Sequence, residues 1–224
     1  MTSKIFACFI GMDGSGKSTI TTNVFNRIRK ENVKIRKTYG QHQPLVTRFV
    51  MALGRFLFLR KNDMFSDYEK YLNNKKSILK KAPRLASMYI SLIIIEYYFE
   101  IIFKIIIPYK LGYSIVCDRY VYDTIINEIA IDMNLSVEET YDLLQKFWYF
   151  IPRPDITFLM QVPEEIAFKR KNDIPSLSYL RIRKELYMKL ATKEKILALD
   201  GTLDPSELEK MVYAAIDNIK KSNN

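Results

Sequence analysis

Ile5-Phe6-Ala7-Cys8-Phe9-Ile10-Gly11-Met12-Asp13-Gly14-Ser15-Gly16-Lys17-Ser18-Thr19-Ile20 is the stretch that decides the fold. From Gly11 onward it fits G-x-x-x-x-G-K-[ST], with Gly11, Gly16, Lys17 and Ser18 at the fixed places. The context agrees on both sides. Ile5 to Ile10 is an apolar run of strand length, and Ile20, Val24 and Ile28 fall four apart on one helix face. Glycines let such a loop turn its N–H groups onto phosphate oxygens, and the following helix adds the positive end of its dipole. Lys17 then reaches the outer phosphates of a triphosphate and the Ser18 hydroxyl reaches Mg²⁺. Gly11, Asp13, Gly14, Ser15, Gly16, Lys17, Ser18 and Thr19 are the candidate residues of this loop.

Working outward, Val33–Tyr39, Ser114–Cys117, Ile156–Met160 and Ile196–Asp200 read as four more short strands, separated by helical patterns. Helices are expected over Leu45–Leu59, Leu85–Ile107, Pro163 to about Lys171, and Tyr179–Lys193. The long one at Leu85–Ile107 is read as nearly buried and ended by Pro108 and Gly112. Ser136-Val137-Glu138-Glu139 is a capping box opening a helix to Trp148, and Asp204-Pro205-Ser206-Glu207 caps the terminal helix. Short apolar strands between helices predict an α/β fold: a five-stranded parallel sheet flanked by helices in a three-layer sandwich. Gly11, Gly40, Asp118, Gln161 and Asp200 then share the C-terminal edge of the sheet, where ligands bind in open α/β folds. No repeat or linker divides the chain, so residues 1–224 are taken as one domain. Arg60–Pro83, polar and rich in lysine, is taken as a surface insertion.

The composition limits the function classes. Apolar residues make up 48% of 224 residues, enough for a sizeable core, and the formal net charge is +10. A basic balance suits phosphorylated ligands. No zinc-finger or RNA-binding signature accompanies it, so nucleic acid is not an expected partner. The apolar stretch Ile90–Ile107 carries Glu96, Glu100 and Lys104 along one edge, which argues against a membrane span. Two cysteines, Cys8 and Cys117, lie in strand-like runs far from the single histidine. They read as buried free thiols of a reducing, cytoplasmic compartment. That histidine, His42, follows a strand end but has no partner in sequence, and is read as a solvated loop residue.

A second site lies at Asp118-Arg119. A carboxylate at the end of a buried strand can hold Mg²⁺ or its waters, and an adjacent arginine offers a planar fork for phosphate. A third feature is the basic helix end Phe168-Lys169-Arg170-Lys171, broken by Asn172-Asp173-Ile174-Pro175 and followed by a helix with Arg181, Arg183 and Lys184. A helix–loop–helix of this kind can close over phosphates and exclude water.

With these residues in hand the chain resembles the thymidylate kinases, among the P-loop nucleoside monophosphate kinases. The resemblance rests on the loop Gly11–Thr19, on Gly112-Tyr113-Ser114-Ile115-Val116-Cys117-Asp118-Arg119-Tyr120, on the stretch from Phe158-Leu159 to Arg170, on Tyr187, and on Asp200-Gly201. It implies transfer of the ATP γ-phosphoryl to a nucleoside monophosphate, with dTMP the default acceptor and Mg²⁺ as cofactor. Asp13 then contacts the acceptor sugar and Arg119 the acceptor phosphate. A small residue at Gly14 leaves the catalytic arginine to a helical lid at about 169–180, with Arg170 first and Lys171 next. Lys17, Arg119, Arg170 and Lys171 are thus the catalytic candidates, and Ser18 and Asp118 the metal ligands. The family also forms dimers through the helix that corresponds to Ile90–Ile107, although burial within one domain explains its apolarity equally well. The base-contacting positions depart from the family: Ile93–Phe99 holds no arginine, and Val121-Tyr122-Asp123-Thr124-Ile125-Ile126-Asn127 follows the Asp-Arg-Tyr triplet. Two alternatives stay open: another nucleotide, nucleoside or small phosphorylated acceptor, or a nucleotide-binding regulator without transfer activity.

Overall fold

The computed structural model describes residues 4–31, 33–58, 64–194 and 196–222. Five parallel strands form its centre: β1 (Phe6–Ile10), β2 (Ile35–Tyr39), β3 (Ser114–Asp118), β4 (Ile156–Gln161) and β5 (Leu197–Asp200), in the order β2-β3-β1-β4-β5. Cys8 is in register with Cys117 on one side and Thr157 on the other, so β1 is central. That position explains why its sequence is apolar without alternation. Ile5, Ala7 and Phe9 face a layer with Ile20, Val24 and Ile28 of α1 (Lys17–Arg29) and Leu208, Val212 and Ile216 of α11 (Pro205–Ser222). Phe6, Cys8 and Ile10 face the opposite layer. There the packing comes from α3 (Tyr68–Lys81), α4 (Pro83–Ile101), α8 (Val137–Phe147) and α10 (Leu177–Glu194). The expected three-layer α/β sandwich is what the chain forms.

Several local expectations hold. Ser136 and Glu139 make the reciprocal capping box at the start of α8, and Asp204 receives the Ser206 N–H at 2.8 Å at the head of α11. The helix expected at Leu45–Leu59 is α2 (Thr47–Phe58); Leu59 lies outside the described residues.

Three expectations are corrected. Pro108 does not end the long helix. After α4 the backbone widens into a π-helical stretch, Ile102–Ile106, and a last turn, α5 (Ile107–Lys110), carries Pro108 before Gly112 turns the chain at φ 86°. Proline has no N–H to give an α-helical ladder, and the looser hydrogen bonding ahead of it accommodates that loss. Nor is this helix nearly buried. Ala86, Ile93, Tyr97 and Ile101 face the core, whereas Met88, Ile95, Phe99 and Phe103 are exposed, as are Phe49, Leu53 and Phe56 of α2. The apolar surface exceeds what one domain's core takes up. The supposed insertion, of which Arg60 to Asp63 lie outside the described residues, is not all surface. Tyr68 and Leu72 of α3 enter the core, and Lys75 pairs with Asp132 at 2.5 Å.

His42 is also corrected: it is buried. Its Nδ1 lies 2.9 Å from Glu100 and its Nε2 3.2 Å from the Thr47 hydroxyl. The charges of the long helix are used in the same place. Glu96 accepts hydrogen bonds from Leu45 N, Val46 N, Thr47 N and the Thr47 hydroxyl, and Glu100 from Gln43 N and Lys104. The edge read as a polar stripe is the anchor for the segment that follows β2. Burial opposes ionisation of Glu96 and Glu100, yet the hydrogen bonds each receives hold both carboxyls below the usual range. No helix of the described residues is long and apolar enough to cross a membrane.

Candidate active site

The C-terminal ends of β1, β3, β4 and β5 converge on the loop Gly11–Gly16. Its backbone leaves no room for side chains at two of the glycines. A Cβ on Gly11 would lie 2.7 Å from Met160 O, and one on Gly14 would lie 2.3 Å from Ala167 O of α9 (Glu164–Arg170). Gly14 holds φ 77°, a region that side chains avoid. Helix α1 starts at Lys17 with Gly16 as its N-cap, no side chain capping it and no acidic residue in its first turn. The first-turn N–H groups are thus unclaimed by side chains, the arrangement that receives phosphate.

Lys17 is 4% exposed and folds back over the loop, with Nζ donating to Met12 O at 2.6 Å and Ser15 Oγ at 3.2 Å. Burial, with the Arg119 charge next, pulls its ammonium down to about 7. An anion brought to this loop would reverse that shift. Ser18 and Thr19 are exposed beside it at the helix start. Asp118 is buried at the end of β3, and its Oδ1 has no hydrogen-bond partner among the described residues. An orphaned buried carboxylate oxygen next to a phosphate loop fits a hard cation or its water shell. Ser18 and Asp118 are of the oxygen-donor type that Mg²⁺ takes.

Arg119 stands just past β3 with φ 65°, a backbone setting rare for a residue with a side chain. One arm of its guanidinium reaches Asp13 Oδ1 at 2.5 Å and the other Asp123 Oδ1 at 3.0 Å. Asp13 therefore receives Arg119, the Tyr179 hydroxyl at 3.2 Å and, at 3.8 Å, the Lys171 ammonium. Burial pushes the Asp13 carboxyl up, but these cations and Lys17 together hold it below the usual carboxylate range. Arg170 lies on the other side of the loop, its Nη1 3.9 Å from where a Cβ on Gly16 would stand. Its Nη1 donates to Gly201 O at 3.2 Å, beyond β5. Of the two lid candidates, Lys171 thus faces Asp13 and Arg170 lies between Gly16 of the loop and the end of β5. The α9–α10 hairpin is closed by Glu164, paired with Lys184 at 2.6 Å and Arg181 at 3.2 Å.

Sequence reasoning missed part of the site. Asp123, in α6 (Val121–Thr124), is fully buried and accepts from Arg119, from Tyr120 N at 3.1 Å and from the Tyr187 hydroxyl at 2.7 Å. Asn127 follows in a second π-helical stretch, Ile125–Ala130, a local form that recurs at functional sites. It accepts from Arg183 Nε at 2.8 Å. The signals were present: Asp123 is four residues beyond Arg119, and Tyr179, Arg183 and Tyr187 recur every four residues on one face of α10.

The comparisons with known proteins agree with this geometry. The family model described as thymidylate kinase matches residues 70–212. A thymidylate kinase of Wolbachia pipientis subsp. Culex pipiens is 25% identical, covering 97% of this chain and 96% of its own length. One from Rickettsia typhi is 26% identical over 77% of this chain and 71% of its own. A probable thymidylate kinase of Methanocaldococcus jannaschii is 23% identical over 90% and 89%. With the loop on β1, the Asp-Arg-Tyr triplet on β3 and the hairpin closing beside them, this chain belongs to the thymidylate kinase family.

Proposed function

We propose that this ATP-dependent nucleoside monophosphate kinase converts dTMP to dTDP, with Mg²⁺ as its cofactor. The observation that carries the reading is the contact between Asp13 of the phosphate loop and Arg119 at the end of β3. On this reading Asp13 and Arg119 belong to adjoining donor and acceptor sites, as in-line transfer between two phosphates requires.

In this reading Lys17 and the first N–H groups of α1 hold the β- and γ-phosphates of ATP. Ser18 and Asp118 would hold Mg²⁺, which would supply charge neutralisation for the phosphates. Arg119 exchanges its Asp13 contact for the acceptor phosphate and keeps Asp123 as its fixed partner. Asp13, once released, accepts from a sugar hydroxyl. Lys171 stabilises the transferring group from the acceptor side, and Arg170 closes the donor side. Ala167, lying against Gly14, brings the α9 backbone onto the loop and excludes water. The segment at about 169–180 acts as the lid. No general base is needed, because the acceptor atom is already a phosphate oxygen.

The exposed apolar faces of α2 and α4 support a homodimer, which sedimentation would detect as twice the chain mass. Free, buried Cys8 and Cys117 suit the cytoplasm. The direct test is a phosphoryl-transfer screen with ATP and the common nucleoside monophosphates. Transfer to dTMP above the others is the expected result, and ATP binding without transfer to any acceptor refutes it.

A further inference from the structure

Arg119 holds φ 65°, in the left-handed region, although it carries a full side chain. An L-residue is strained there, and the setting persists only where its surroundings over-determine it. The N–H of Arg119 is held by the sheet, donating to Phe9 O at 2.8 Å. Its guanidinium is held by Asp13 and Asp123. Neither contact reaches the peptide that leaves the residue. In the kinase reading above, on which this inference rests, Arg119 gives up Asp13 for the acceptor phosphate. Its backbone must then stay in place with one side-chain contact fewer.

Two residues of neighbouring strands hold that peptide. Cys117, on β3, donates its thiol to Arg119 O at 2.9 Å. Its side chain is buried with Phe6, Tyr97 and Tyr120. Cys8, in register with it on β1, is hydrogen-bonded to it. Burial first, and that bond second, push the Cys8 thiol up, so Cys8 keeps its proton as the donor and the Cys117 proton is left for the carbonyl. Gly40 closes another side of the slot. A Cβ on it would lie 2.5 Å from Cys117 Sγ, 2.7 Å from Arg119 O and 3.2 Å from the Tyr120 ring. Gly40 is itself tied at both ends: its N–H donates to Asp118 O at 3.0 Å, and its carbonyl accepts from the Tyr97 hydroxyl at 2.9 Å. A thiol suits this slot, because it packs among aromatic rings as a small hydrophobe and still has one proton to give.

We propose that Cys117 is a positioning residue for the transfer: its thiol pins the Arg119 carbonyl, so that the left-handed backbone keeps the guanidinium aimed at the acceptor phosphate after Asp13 is released. Gly40 provides the room. Cys117 touches neither substrate and acts only through Arg119.

Cys117→Ala removes the donor and Cys117→Ser keeps one. For both, kcat, KM for ATP and KM for the nucleoside monophosphate that the wild type turns over fastest are measured. The dissociation constant of that monophosphate, by calorimetry without ATP, and thermal midpoints are taken alongside. Cys117→Ala is expected to weaken the acceptor by about three- to tenfold, the effect of one modest hydrogen bond, and to leave KM for ATP unchanged. Cys117→Ser is expected to recover most of that loss. If the alanine variant does not fold, Cys117→Val, which fills the space without a donor, reads the same constants. In an Arg119→Ala background the cysteine change should alter acceptor binding by less than about twofold, since no guanidinium is left to aim. A lower thermal midpoint with unchanged acceptor constants overturns the proposal and makes Cys117 a packing residue. An equal loss of acceptor binding in both backgrounds, or a serine variant no better than alanine, overturns it as well. Transfer to no monophosphate by the wild type removes the kinase reading and this one with it; transfer with unchanged acceptor constants in the alanine variant removes only this one.

Discussion

Gly14→Ala tests whether the α9 backbone rests on the phosphate loop during catalysis. The added Cβ would stand 2.3 Å from Ala167 O and 2.9 Å from both Ala167 C and Ala167 Cα. All of these are backbone atoms, so no side chain can swing aside. To bring the contact beyond 3.0 Å, the loop or α9 must give way by most of an ångström. Arg170 ends α9 and Lys171 follows it, so both proposed lid cations move with the helix. A misplacement of about 1 Å lowers rates by about 100-fold in well-aligned sites. The left-handed φ at Gly14 adds about 1–2 kcal/mol of strain. The assay is steady-state kcat/KM for ATP at saturating acceptor, with Gly54→Ala as control. Nothing lies within 4 Å of a Cβ on Gly54, which sits inside α2. That change should leave activity alone and stabilise the helix by about 1 kcal/mol. A Gly14→Ala enzyme within about threefold of wild type, a change of about 0.7 kcal/mol in the barrier, would show that α9 does not rest on the loop in the reacting state.

Four further outcomes are expected. Lys17→Ala should lower turnover by several orders of magnitude, beyond the roughly 100–1,000-fold lost with one oxyanion donor; near-normal turnover would sink the donor-site assignment. Because Lys17 titrates near 7 when the loop is empty, binding of MgATP at pH 8 should take up a proton, seen by calorimetry as heat that depends on the buffer, and the effect should vanish in Lys17→Met. Asp118→Asn should raise the Mg²⁺ concentration for half-maximal rate by about 10–100-fold with no loss of thermal stability; an unchanged Mg²⁺ dependence contradicts the metal assignment. Glu96 and Glu100 have folded-state pKa values below the ordinary 4.5, so the stability they contribute is complete above that value and is lost as the pH falls through their folded values. Denaturant titrations from pH 7 to pH 3 should show that loss, and a variant with both glutamates changed to glutamine should show less of it.

The fold was legible because its signals are local. In β1 the residues on either side of each peptide go to opposite, equally apolar layers, so the unbroken apolar run is itself the mark of a central parallel strand. The glycine spacing, the capping box at Ser136 and the Asp118-Arg119 pair are likewise complete within a few residues. What the sequence hid is built across distance. His42 has Thr47 five residues on, but Glu100, its ionisable partner, lies 58 residues away. Arg183 looked like one basic residue among several on a lid helix. Its distinction from Arg181 and Lys184 is that Glu164 pairs with those two and leaves Arg183 without a charge partner. The exposed side of α4 misled for another reason: apolar composition alone does not say which side of a helix its own domain's core takes up.

The anchoring of α2 has a consequence in time. Glu96 takes the N–H groups of Leu45 and Val46, which lead into this helix, and of Thr47, which starts it; it lies 51 residues downstream of Leu45 and 49 downstream of Thr47. A chain made from its N-terminus therefore releases α2 from the ribosome well before its cap exists. Until α4 follows, the segment has no cap, and Phe49, Leu53 and Phe56 stay exposed even after it. Helix α2 must wait, and the acid that receives it also belongs to the helix whose other side is still open. Synthesis of α4 would then dock the segment that follows β2 and present the helix's own apolar outer face in one event.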